Sequence, residues 1–582
     1  MQRFGLFRRP LMATFLALCA VGVSVAPLGS RQLWAQDQTQ PAPAPAPADA
    51  AVASTDPILV LTVASLNKLM QDVNYISGVM GQPQAGGMFT MMAGSFTQGL
   101  DTSRPIGVLV PMVDGSPEPI GVLPTADVES MLKRLEGQTG PADKLDDGTF
   151  VVAAGPSLVY IRQVGQWAVI ARNRELIDLV PADPMSLMTG LGDNYDIGVR
   201  LSIQEIPLGL REMLVDQLSQ GFEQTIARQQ GDNEQMAELS KSQLDQLNML
   251  IREADKFMFG ININPNKRLM SIDTEFTAAP GTSLAEMYAG QLPIPSKFTA
   301  VLKGDPAIRY HAASSVSPKL IESSSATMDM VMASVQKALD DQEQIGDDVK
   351  AEIEEMLAGL VDLVTKTMAE GKYDIGVIGM AGDNMLKLAG GMFVHDGDEV
   401  AAWVKKLDAK LSQIPDAPKF NFDESTYNGV TMHSVVIDIP ARAEESRRLL
   451  GEKAVITLGT APQAVYFAFG QGSVVAMKAL IDSADADTGD LAARPLGQAR
   501  LKLLPLLRLA QSMKPNDAVA AVLDAVAVGG DSDYVSIIAN VIDNGQSSNI
   551  EIGEGVLKAI GAAIREAQSA QMREMQRGGG QF

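Results

Sequence analysis

The sequence reads as an α+β protein, built of repeated modules of antiparallel β-hairpin and sheet covered on one face by helices. Three observations lead there. Apolar residues alternate along short runs joined by Asp/Gly turns, as in strands that pair antiparallel. Longer segments between these runs carry apolar residues three and four apart, as in amphipathic helices. One order of elements, strand, strand, helix, recurs along the chain.

Residues 1–35 read as an export signal. Arg3, Arg8 and Arg9 supply the positive start, "LMATFLALCAVGVSVAP" (Leu11–Pro27) the apolar core, and "LWA" ending at Ala35 a cleavage site. The apolar run barely reaches spanning length and contains Gly and Pro, so cleavage is expected rather than retention as an anchor. "RRPLM" lies in a poor twin-arginine context, and ordinary secretion is expected. Cys19, the single cysteine, follows Leu18 where a lipidation site needs a small residue, so lipidation is not expected. A mature chain without thiols has no disulfide and depends on its core. Residues 36–55 contain "QDQTQPAPAPAPADAAVAS" (Gln36–Ser54), a semi-rigid Pro-Ala linker. These features place the protein outside the cytoplasm, periplasmic or extracellular and envelope-associated, with no membrane span after cleavage.

The formal net charge of −23 excludes nucleic-acid binding, because so acidic a surface repels phosphate. Removing the four arginines of the signal makes the chain more acidic still. Thirty methionines against 5% aromatics give adaptable apolar packing, suited to a core or to a loose apolar ligand site.

The first module spans 56–185 and opens at "PILVLTVASLNKLM". Its segment "GLDTSRPIGVLVPMVDGSPEPIGVLPTADVESMLKRL" (Gly99–Leu135) places two "PIGVL" strands around a "DGSP" turn, then an acidic helix start. Gly107 and Gly121 fall inside strands, so this is no phosphate cradle. The second module, 186–295, contains after its first strand a helical hairpin broken at "QQGDN". Leu208–Ala227 carries Leu210, Leu214, Leu218 and Phe222, and Asn233–Phe257 carries Met236, Leu239, Leu247, Leu250 and Ala254. A β-hairpin follows in "KFMFGININPNKRLMSIDTEFTAAPGTSLAEMYAGQL" (Lys256–Leu292).

The third module, 296–490, holds a helix pair over about 317–372 with an acidic break at "DDQEQIGDD". Its segment "GKYDIGVIGMAGDNMLKLAGGMFVHDGDEVAAWVKKL" (Gly371–Leu407) aligns with the first, Val400, Trp403, Val404 and Leu407 taking the places of Val128, Met131, Leu132 and Leu135. "SLVYIRQVGQWAVIARNRELIDL" (Ser157–Leu179) and "QAVYFAFGQGSVVAMKALIDS" (Gln463–Ser483) likewise share "VY", a Gly turn, an apolar strand and a closing "LID" helix. The C-terminal module, 491–570, contains "ARLKLLPLLRLAQSMK" (Ala499–Lys514). This reads either as a basic amphipathic helix for a membrane surface or lipid pocket, or as a buried helix, with Pro505 interrupting it or opening its second half. "SDYVSIIANVIDNGQSSNIEIGEGVLKAIGAAI" (Ser532–Ile564) repeats the strand, strand, helix order, and residues 571–582 are expected to be a disordered tail.

"YDIGVRLSIQEIPLGLREMLVDQL" (Tyr195–Leu218), with "GLDTSRPIGV" and "VGQWAVIARNRELI", resembles a group of exported proteins of planctomycete-type bacteria. The resemblance covers most of the mature chain and implies secretion and a repeated α+β body. It carries no activity with it.

Chemistry is sparse. His311, His395 and His433 stand alone, with no second His or Cys at ligand spacing. His395 in "VHDGDE" has Asp396, Asp398 and Glu399 beside it but falls in a hairpin-to-helix turn, better explained as a solvated helix start. His311 and His433 sit in strand-like runs and read as half-buried strand residues. "DSADADTGD" (Asp482–Asp490) fails the calcium-loop pattern: counted from Asp485, Gly489, Asp490 and Leu496 fall where an acid, a Gly and a Glu belong. There is no nucleophile elbow and no Walker pattern, and paired acids such as Asp146 and Asp147 suit ordinary turns. No catalytic, metal or cofactor-binding residue is therefore assigned and no cofactor is expected. The leading expectation is an exported, non-enzymatic structural or interaction protein of the cell envelope, with a protein partner there. The alternative is a periplasmic carrier of lipid or another apolar ligand; a hydrolase with a distributed site is a weaker third.

Overall fold

The alternating runs pair into one antiparallel sheet of twenty strands. The computed structural model describes residues 56–578 except 156, 230–243, 245–246, 323–346, 413–416, 485–486 and 488. The strands of the first half are β1 (Leu59–Val63), β2 (Ile106–Val110), β3 (Ile120–Pro124), β4 (Asp143–Lys144), β5 (Phe150–Ala154), β6 (Ser157–Val164), β7 (Trp167–Ala171), β8 (Ile197–Ser202), β9 (Ala254–Asn264) and β10 (Leu269–Ala278). Those of the second half are β11 (Ile308–Ser315), β12 (Lys372–Gly382), β13 (Met385–Phe393), β14 (Lys419–Tyr427), β15 (Val430–Asp438), β16 (Lys453–Ala461), β17 (Ala464–Phe469), β18 (Gly497–Lys502), β19 (Tyr534–Ile542) and β20 (Gly545–Gly553).

From one end the order is β4-β5-β6-β7-β3-β2-β1-β8-β9-β10, and then β20-β19-β18-β11-β12-β13-β17-β16-β15-β14. Each strand of the first half thus has its counterpart ten numbers later, in mirrored sequence about the β10–β20 pair. Asp273 and Asn549, four residues beyond the first residue of β10 and of β20, face each other there. The two ends of the sheet are blunted: β4 has two residues, and β14 is bulged between Asn421 and Ser425.

The helices are α1 (Leu66–Val79), α2 (Pro83–Phe96), α3 (Val128–Thr139), α4 (Met185–Met188), α5 (Leu208–Gln229), α6 (247–253), α7 (Ser283–Ala289), α8 (Asp347–Ala369), α9 (Gly397–Leu411), α10 (Glu444–Leu450), α11 (Ser473–Asp482), α12 (Leu503–Met513), α13 (Asp517–Ala527) and α14 (Glu554–Gly578). The acidic helix starts are caps: Asp127 accepts from the Ser130 amide and Asp396 from that of Asp398. In "DGSP" the turn itself is Asp114-Gly115, both at positive φ as a two-residue hairpin demands, while Ser116 and Pro117 already pair with Val113 and Met112.

Several expectations are corrected. "SVVAM" is the first half of α11 and not a strand, because Met477, Leu480 and Ile481 form one buried helical face. The two "VY" pairs are not equivalent: Val159-Tyr160 lies on β6, whereas Val465-Tyr466 lies on β17, the counterpart of β7. The helix expected through Phe257 ends before Ala254, where alternation takes over in β9. The first helix of the proposed helical hairpin is α5, whereas Met236 and Leu239 of the second, and the start of "DDQEQIGDD", lie outside the described residues. Ala499–Lys514 is a strand followed by a helix: Arg500 and Lys502 belong to β18, and Pro505 sits in the first turn of α12. The tail is helical as far as Gly578, its run of Ala, Gln, Glu, Met and Arg favouring continuation of α14.

Covering is also not confined to one face. On β7, Val169 packs with Leu176, Ile177 and Met188, while its neighbour Ala168 packs with Val128 and Met131 of α3. Successive strand residues point to opposite faces, so this arm has a core on each side. The other arm has its core around Phe298, Tyr466, Met477 and Leu480. In the middle, none of the large apolar side chains on β8, β9, β10, β18, β19 and β20 is buried.

Candidate binding surface

Strand register decides what this bare centre presents. Ile197 on β8 faces Ile261 on β9, Ile261 faces Ile272 on β10, Ile272 faces Ile550 on β20, and Ile550 faces Ile537 on β19. Cross-strand partners share a face, so five isoleucines form one ladder, about 19 Å across at the usual strand spacing. Phe259, between Val199 and Thr274, lies on the same face, as do Phe257, between Leu201 and Phe276, and Val535, between Ile552 and Leu501. Ile537 is 43% exposed, Leu501 42% and Phe257 36%, high values for strands paired on both edges. Its polar groups answer one another: Thr274 Oγ1 lies 2.7 Å from Ser548 Oγ, and Gln546 Nε2 donates to Gln291 Oε1 at 2.6 Å. At one end of this face lie α6 and α7, where Met249, Met287 and Tyr288 cluster with Phe276.

The opposite face of the same strands is polar. Asn549 Nδ2 donates to Asp273 at 2.7 Å, Tyr534 Oη and Ser536 Oγ each donate to Glu551 at 3.3 Å, and the Arg500 guanidinium lies 4.0 Å over the Tyr534 ring. The central sheet is therefore amphipathic in itself. Its apolar side offers dispersion contact and exclusion of water.

The histidines lie elsewhere and apart from one another. His311 is fully buried, not half-buried, and so is His433 at 3% exposure. Ser296 Oγ donates to Asp374 Oδ1 at 2.6 Å and accepts from the Phe298 amide, so His311 Nε2, 3.0 Å away, must carry the proton and donate. Burial, with the charge of Arg494 second, pulls His311 down to about 4, and burial pushes Asp374 up to about 6. Ser296 sits between His311 and Asp374 and is 2% exposed, closed off from solvent. Asp487 of the acidic loop accepts from the Ser296 amide at 2.8 Å and pairs with Arg494, whose hydrogen bonds hold its carboxyl well below the ordinary range. In His433, Nδ1 accepts from the Asp423 amide, which leaves Nε2–H to donate to Thr460 at 3.1 Å. His395 lies in the expected turn, exposed, with Nδ1 2.8 Å from Glu370. Asp147 caps a turn at the Thr149 amide.

Among the described residues no group of three or more His, Cys, Asp or Glu is disposed to hold a metal ion, and no helix is long and apolar enough to cross a membrane. A depression of about 300 Å³ opens beside Asp56, Asp178, Val180 and Leu187, at the small end for ligand sites. Fold and surface together define an antiparallel α+β sheet protein with an open apolar face. No protein-family model, no curated protein and no solved structure matches the chain.

The open apolar face was not legible in the sequence. Alternation in "FMFGINI" and "LMSIDTEF" was visible, but which strands lie side by side was not.

Proposed function

We propose that the protein is an exported, non-enzymatic interaction protein of the cell envelope, and that the isoleucine ladder is its binding surface. One observation carries this: the ladder, Ile537 included, and its flanking Phe257 and Leu501 stay partly exposed at the centre of a sheet whose two arms have closed cores. An open apolar face supports contact with a partner's surface more than enclosure of a small ligand, which needs most of the ligand buried. The four hairpin–helix segments are proposed to be copies of one unit, a reading supported by the mirrored strand order. Export rests on the N-terminal signal pattern and on the resemblance to exported planctomycete-type proteins.

A photo-crosslinking residue at position 537, expressed in the host, is expected to yield a discrete envelope-protein adduct. The same residue at exposed Glu136 on α3 should give none. Equal labelling from both positions would remove the ladder as a binding surface. The carrier reading is favoured by the isoleucine and phenylalanine side chains of this face. It predicts stoichiometric lipid in native mass spectra of the purified protein, lost in Ile537→Glu.

A further inference from the structure

We propose that α2 lies on a lipid bilayer, seating its methionines among the acyl chains of an uncharged membrane surface. This goes beyond the ladder and stands apart from it. The sequence of α2, "PQAGGMFTMMAGSF", has no charged residue, in a chain whose formal charge is −23. Gly86 faces α1, where a Cβ would come within 2.6 Å of Asn74 Oδ1, and Asn74 Nδ2 donates to Thr90 Oγ1 at 2.9 Å. At 100° per residue, Met88, Met91, Met92 and Phe96 fall on the side away from Gly86 and Thr90. They are 68%, 75%, 56% and 59% exposed. Four large apolar side chains thus project together from a helix whose other side is held by α1.

Area and charge choose the occupant. A 14-residue helix is about 21 Å long and about 10 Å wide, so its stripe offers roughly 200 Å², far below the ~800 Å² per partner of a stable protein interface. A bilayer asks for no matching shape and no hydrogen-bond partners, and flexible, polarizable Met side chains enter it readily. The acidity of the remainder disfavours anionic headgroups, so the surface that fits is zwitterionic.

Flotation of the full chain with phosphatidylcholine vesicles tests this. The wild-type chain is expected to float with the vesicles, insensitive to added salt and less well as phosphatidylglycerol replaces phosphatidylcholine. Met88→Glu with Met91→Glu is expected to reduce flotation at least tenfold with an unchanged circular dichroism spectrum. A wild-type chain that stays at the bottom overturns the proposal. So does a double variant that floats equally, since binding then resides elsewhere, the apolar run Leu11–Pro27 included. Should the double variant misfold, Met92→Cys in a Cys19→Ser chain carries an environment-sensitive dye, whose emission must shift to the blue with vesicles; an unmoved spectrum overturns the proposal. A lipid-independent dimer abolished by the double variant, with no α2-dependent flotation, assigns the stripe to a second copy and overturns it as well.

Discussion

Gly107 and Gly376 occupy the same place in the two "IGV" strands, and each lets a distant side chain reach the backbone. A Cβ on Gly107 would lie 2.3 Å from Met188 Sδ, and one on Gly376 2.5 Å from Phe298 Cβ and 2.9 Å from Val301. Phe298 is wholly buried at the heart of its core. Gly376→Ala is therefore expected to cost roughly 1–3 kcal/mol by overpacking, read as a lower urea midpoint; an unchanged midpoint would show that Phe298 has room to move. The buried His311–Ser296–Asp374 group makes a second prediction. Folded Asp374 holds its proton up to about 6 against an ordinary 3.8, so acidification through that range favours the fold through this group. Folded His311 stays neutral down to about 4 against 6.5, so the same acidification disfavours the fold through it. The two oppose each other in the wild type. Asp374→Asn removes its share of that opposition, and the variant's stability relative to wild type should then fall as pH drops from about 6 to about 4, by at most ~1.4 kcal/mol per pH unit. Melting curves across that range check the slope. Isolation of the histidines was legible in the sequence; the complete burial of His311 and His433 was not, because it goes with hydrogen bonds to Ser296 and Thr460 on other segments.

Element by element, local patterns succeeded where one period was dominant and failed where two competed. The hairpin in Lys256–Leu292 has clean alternation on both sides of its turn and folds as such. In Gln498–Met513 the alternation of "QARLK" runs into the helical spacing of "LLPLLRLA", and the boundary falls at Leu503 because Ala499 and Leu501 pair with Ile537 and Val535. In "SVVAM" two adjacent valines suggested a strand, yet burial of Met477 and Leu480 selected the helix. Contacts between helices were beyond the sequence entirely. Gly561 of α14 meets the end of α1 so closely that a Cβ would lie 2.2 Å from the Met80 carbonyl oxygen, and Tyr75 donates to Glu554 at 2.9 Å beside it. Gly561→Val is expected to push the two helices apart and cost roughly 1–3 kcal/mol. Hydrogen exchange should then rise in α1 and at the start of α14; protection equal to wild type in both would show the contact to be dispensable.

At the scale of the molecule, each half of the sheet is contiguous in the chain, β1–β10 within Leu59–Ala278 and β11–β20 within Ile308–Gly553. The halves meet through the β10–β20 ladder, through Arg268 with Glu554 at 3.0 Å, and through α1 with α14. None of these joints needs the peptide chain between the halves. Residues 36–290 and 291–582, expressed as two polypeptides, are expected to associate one to one and co-purify. Halves that stay apart would mean that the connection, and not the ladder, holds the sheet together.

The sequence by itself determined the α+β class, the net acidity, the hairpin turns and the order of elements within each segment. All of these follow from side-chain periods and turn chemistry confined to a few neighbouring residues. Only the tertiary structure decided that twenty strands share one sheet, that its first arm is packed on both faces, and that five isoleucines from five strands align into one partly exposed ladder. Register between strands hundreds of residues apart is set by the whole set of pairings at once, and a shift of a single residue would have turned that ladder to the other face.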